Sequence, residues 1–124
     1  EMSSEQSYVV DNDYTLSEVT TRRFDDMNGF TNRSIITRTF NFLAQQVTTH
    51  VHDVALGNNG GYKTGGAGGV STSLVQQHFE DFRSDAEICF MHAKLKELKG
   101  NPPPLDDVTR GMNKKNSLAA PGKG

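Results

Sequence analysis

The residues best suited to chemistry are the histidines, the single cysteine and a glycine-rich run that carries a lysine. His50-Val51-His52-Asp53 sets two imidazoles two positions apart. On a strand both rings would point to one face and could share a metal ion. On a helix they would stand about 200° apart and could not. The apolar spacing described below reads this segment as a helix, so the pair is assigned to packing and surface. His78, Asp85 and His92 recur at seven-residue spacing, with Cys89 three positions before His92. A helix would align them on one face but part successive members by about 10 Å, too far for one ion. Only Cys89 with His92, or Asp85 with Cys89, would make a local pair. The Glu-x-x-His signature of di-iron helical bundles does not occur in the chain. No metal ion, cofactor or catalytic residue is therefore assigned.

Gly57-Asn58-Asn59-Gly60-Gly61-Tyr62-Lys63-Thr64 approaches the phosphate-binding P-loop. That pattern needs glycine where Tyr62 stands, a strand before it and a helix directly after it. Neither the residue nor the setting fits. Cys89 falls within an expected helix near the core, where cysteine behaves as a small apolar residue. Asp25-Asp26 and Asp106-Asp107 read as solvated turn acids. Asn32-Arg33-Ser34 has the form of a glycosylation acceptor, but without a secretory signal it reads as a helix cap.

Charge narrows the partners. Thirteen basic and fifteen acidic residues leave a formal charge of −2. A surface built throughout to hold phosphates would be basic. Arg22, Arg23, Arg33 and Arg38 could form a local patch, diluted by Asp25 and Asp26, and nucleic acid is not expected as a partner. No apolar run is long enough to cross a bilayer. One cysteine gives no internal disulfide, so an intracellular or virion setting is favoured over a secreted one.

The elements that must position these residues read as helices. Thr15-Leu16-Ser17-Glu18 has the form of a capping box, opening a short helix over 16–27 that Asn28-Gly29 would end. Ile36, Phe40, Leu43, Val47, His50 and Val54 follow at spacings of four, three, four, three and four. That is the stripe of one helix face, and it predicts a helix over 32–56. The threonines and valines within it (Thr37, Thr39, Thr48, Thr49, Val51) favour strand, and the period is given precedence. Residues 57–71 read as a flexible glycine-rich loop, long for a helical hairpin. Ser73-Leu74-Val75-Gln76 would open a helix over 73–99, stopped by Gly100 and by Pro102, Pro103 and Pro104.

The expected fold is thus mainly α: two long helices, about 32–56 and 73–99, joined by a glycine-rich loop. An extended arm over 1–14 precedes a helical domain over 15–100, and a proline-rich segment and tail fill 101–124. The second long helix carries two apolar stripes, one of them Ile88, Met91, Leu95 and Leu98. Two stripes imply two neighbours, so these four residues are the expected partner-binding surface. Apolar residues make up only 34% of the chain, a thin core for its size. The sequence therefore points to a structural or assembly subunit that packs its helices with copies of itself or with a larger partner. The alternative is a small adaptor that binds one protein through the apolar half of the last helix. A third reading, a metal protein or enzyme, has only the histidines and Cys89 for support.

Overall fold

The computed structural model describes residues 2–25, 27, 29, 31–56 and 69–105. It overturns the helical expectation. Five strands run in sequence order through one antiparallel sheet: β1 (Met2–Asn12), β2 (Thr15–Asp25), β3 (Thr31–Asn41), β4 (Gln46–Leu56) and β5 (Gly69–His78). A 3-10 turn at Phe79–Asp81 follows, and then one helix, α1 (Ala86–Glu97). The expected helix over 16–27 is β2. The expected helix over 32–56 is the β3–β4 hairpin. The expected helix over 73–99 is the end of β5, the 3-10 turn and α1. The extended arm over 1–14 contains β1, paired with β2. The Thr15 hydroxyl, which would cap a helix, is buried without a hydrogen-bond partner. Residues 57–68 of the glycine-rich run and 106–124 of the tail lie outside the described residues, while Gly69, Val70 and Ser71 open β5.

Cross-strand side-chain pairs set the register. Ser17 meets Thr39 at 2.8 Å, the Arg38 guanidinium donates to Glu18 at 3.0 Å, and the Thr31 hydroxyl donates to Asp25 at 2.8 Å. All three fit one unbroken β2–β3 register. Ser34 donates to Asp53 across β3–β4, and His52 Nδ1 lies 3.3 Å from Thr72 Oγ1 across β4–β5. Such facing pairs are what an antiparallel sheet is built from. The threonines that lowered the helix propensity here supply the hydroxyls of the ladder.

The chain divides into two compact units. One comprises 9–17, 39–48 and 76–124, and it holds the core. Leu16, Phe40, Phe42, Val47, Phe79, Ile88, Met91 and Leu95 are its buried apolar side chains. The Phe42 ring meets Phe79 edge-on at 5.4 Å and His92 edge-on at 5.2 Å, and stacks with Phe40 at 6.5 Å. Asn41 turns the chain from β3 to β4, its side chain accepting from the amides of Leu43 and Ala44, each at 2.9 Å. Gln45 completes that turn in the left-handed region at φ 59°.

The other unit comprises 1–8, 18–38 and 49–75. Among the described residues it contains no helix, so its sheet has no second layer of its own. Among the described residues it buries no apolar side chain, and Glu18 is the one buried residue.

The end of α1 tests the account of its stop. Gly100 donates to the Leu95 carbonyl at 2.8 Å and Lys99 to the Lys96 carbonyl at 3.1 Å, the bond pattern of a Schellman motif. The left-handed residue of that motif is Lys99, at φ 79°, not the glycine. Gly100 is needed for a different reason: a Cβ there would lie 2.6 Å from Leu95 Cγ and 3.1 Å from the Asp13 carbonyl. Lys99→Gly should therefore stabilise the chain by roughly 0.5–1 kcal/mol. Gly100→Ala should destabilise it by about 1–3 kcal/mol. Urea unfolding at one fixed protein concentration checks both signs.

Candidate interaction surface

The residues singled out for chemistry are dispersed by the sheet. His78 ends β5, Asp85 precedes α1, and Cys89 and His92 lie within α1. His92 is buried on Phe42, with Nε2 2.7 Å from the Pro103 carbonyl oxygen. It pins the proline segment to the helix, while the Asn101 amide, donating to the Asp13 carbonyl at 2.7 Å, ties the start of that segment to the β1–β2 turn. The Cys89 thiol is half-buried, and burial, followed by the charge of Asp85, pushes its pKa up, away from the reactive thiolate. Among the described residues no three His, Cys, Asp or Glu side chains gather as a metal site. The P-loop-like run lies outside the described residues.

The four arginines do not form one patch: alternation along β2 and β3 sends Arg22 and Arg38 to one face and Arg23 and Arg33, which the register sets opposite each other, to the other. Arg38 is bound to Glu18, and Arg23 pairs with Asp25 at 3.1 Å. Thr31, and then Arg23, hold the Asp25 carboxyl below its ordinary pKa by hydrogen bonding. Glu18 also faces the Tyr8 hydroxyl, 3.4 Å away, and burial together with that carboxylate raises the tyrosine pKa. Each of these charges is satisfied locally, as a structural ladder requires.

The four residues expected to bind a partner fall differently. Ile88, Met91 and Leu95 point into the core of their unit and are at most 1% exposed, while Leu98 is 37% exposed. The exposed side of α1 is instead Ala86, Phe90, Ala93 and Glu97, spaced as one helix face.

The surface that sequence reasoning missed is β5. It ends the strand order, so one of its sides has no neighbour among the described residues. Every residue from Val70 to His78 is exposed, with Leu74 at 64% and Val75 at 54%. The other edge, β1, carries Glu5 and Asp11; β5 carries no Asp, Glu, Lys, Arg or Pro along its length. Natural sheets guard free edges with charge or proline, because unpaired amides and carbonyls template pairing with another chain. The signal was present in the sequence as ten consecutive residues without formal charge, rich in Val, Ser and Thr. It was hidden by reading Ser73 as a helix cap. No helix among the described residues is long and apolar enough to cross a membrane.

Comparison with protein-family models, curated proteins and solved structures finds no match to this chain.

The burial pattern separates core from surface on α1. Leu95→Ala should cost about 2–5 kcal/mol, the range for emptying a packed leucine site. Leu98→Ala should cost less than about 1 kcal/mol. Chemical denaturation of the two variants at equal concentration measures the contrast.

Proposed function

We propose that this chain is a structural subunit of a larger assembly, and that its first association is with a second copy, β5 against β5, to form one continuous sheet. The observation that carries the reading is the pairing of two features. Among its described residues the unit at 1–8, 18–38 and 49–75 buries no apolar side chain, and the edge strand β5 is uncharged and exposed from Val70 to His78.

A sheet is stable when a second layer covers its apolar face. Ile36 and Val51 on one face and Ile35 and Val54 on the other are only half-buried here. Edge pairing of β5 extends the sheet without covering either face, so a covering layer would have to come from a further member of the assembly. Antiparallel pairing of β5 with itself is isologous: the same patch serves both copies, and the contact closes as a two-fold. A strand of ten residues spans about 34 Å and offers its outward backbone groups to the partner. Each new hydrogen bond contributes about 0.5–1.5 kcal/mol net. Association costs roughly 4–15 kcal/mol in lost freedom, so edge pairing alone is marginal. Cross-strand contact adds partial burial of Leu74 on one face and Val75 on the other, a fraction of the about 1.5–3 kcal/mol each that complete burial contributes. Within the sheet, Arg38 pairs with Glu18 across β2–β3 and Arg23 with Asp25 along β2.

Light scattering on a sizing column tests the reading. The chain should run at twice its 13.6 kDa mass or as a larger multiple. Val75→Lys, which places a charge on the edge strand, should shift it to the monomer while the circular dichroism stays that of a folded sheet. A monomeric wild-type chain at high micromolar concentration contradicts the proposal. So does a Val75→Lys variant whose mass is unchanged.

A further inference from the structure

The strand assignment of β4 restores a chemistry that a helix would forbid. His50 and His52 are separated by one residue on β4 (Gln46–Leu56), so both side chains leave the same face of the sheet. Their Cα atoms lie about 7 Å apart along the strand, a spacing at which two imidazoles can close on one ion. Asp53 leaves from the opposite face, where Ser34 donates to it. The Ser34–Asp53 and His52–Thr72 contacts fix the neighbours on the histidine face. Thr37 and Leu74 flank His50, and Ile35 and Thr72 flank His52. All six residues belong to one compact unit.

The Thr72 hydroxyl lies 3.3 Å from His52 Nδ1. A partner on that nitrogen orients the ring and leaves Nε2 as the ligand, the arrangement by which proteins hold metal-binding histidines. Both histidines are half-buried, so the rings are restrained yet reachable from solvent. No third His, Cys, Asp or Glu joins them among the described residues. The pair would therefore fill two coordination positions and leave the rest to water or to an incoming group.

The geometry points to His50 and His52 as a bidentate surface site for a borderline divalent transition-metal ion, with Cu²⁺ held more tightly than Zn²⁺. Two neutral nitrogens without a carboxylate suit these ions. They do not suit Ca²⁺ or Mg²⁺, which take oxygen ligands. The site is independent of the β5 contact, because it needs only one chain.

Titration of the tag-free chain with Cu²⁺, against glycine as a competing chelator, tests this. The expected result is one saturable ion per chain, with the nitrogen splitting of two imidazoles in the electron paramagnetic resonance spectrum. His50→Ala and His52→Ala should each weaken binding at least about tenfold, while His78→Ala, at the far end of β5, should leave it unchanged. Ca²⁺ should not compete. Absence of saturable binding overturns the proposal. A spectrum without two imidazole nitrogens overturns it on the wild-type chain alone, and so does Cu²⁺ affinity that survives both alanine variants.

Discussion

The ring of Phe42 joins the parts of the core. It follows β3 directly, stacks with Phe40 of that strand, and receives Phe79 and His92 edge-on. The backbone amide of Phe42 donates to the Tyr14 carbonyl at 2.8 Å, and that of Phe79 to the Gln45 carbonyl at 2.9 Å. Sheet turn, 3-10 turn and helix thus meet at one aromatic cluster. Edge-to-face aromatic pairs contribute about 0.5–1.5 kcal/mol each beyond the area they bury. Helix α1 adds the buried Ile88, Met91 and Leu95 to the core of the same unit, and His92 carries the connection onward to Pro103. The proline segment is in this way part of the packed unit, with Pro102 buried.

Concentrating the apolar burial there leaves the other unit to be held by strand pairing. Four strands of eleven residues and one of ten are longer than the five or six typical of globular sheets. Among the described residues of that unit, facing polar pairs such as Glu18–Arg38, Asp25–Thr31 and Ser34–Asp53 stand where a buried apolar core is lacking. Such pairs fix register well, since a slip of one residue would send every side chain to the wrong face. They contribute little net stability when exposed. A chain arranged in this way gains much from a neighbour, which is the physical basis of the assembly reading.

The helical expectation failed for a traceable reason. Ile36 and Phe40 share one face of β3, Leu43 is an exposed turn residue, Val47 is buried, and His50 and Val54 share the opposite face of β4. The turn over 42–45 shifts the phase of alternation, and two strands of period two then imitate a stripe of mixed three- and four-residue steps. The turn hid itself because it contains neither glycine nor proline: Asn41 closes it by side-chain hydrogen bonds and Gln45 takes the left-handed position. The threonines and valines carried the right signal through their strand propensity. The C-terminal helix was legible over Ala86–Glu97, and so was its stop near Gly100, although Lys99 makes the left-handed turn. The apolar stripe of Ile88, Met91 and Leu95 was read correctly as a stripe, and the structure places it against the core of its own unit. The histidine pair was placed on a helix, where the two rings diverge; the strand β4 sends both side chains to one face. The uncharged run of β5 was visible in the sequence, but its place at the sheet edge came only with the strand order.

Hydrogen–deuterium exchange as a function of protein concentration tests the central claim most directly. Edge-strand amides that face outward exchange readily in a lone chain, because no carbonyl accepts from them. The account predicts that protection of the β5 amides between Val70 and His78 rises as concentration passes through the association range, while β1 amides change little. Protection of β5 that does not depend on concentration would contradict it, as would a rise confined to β1.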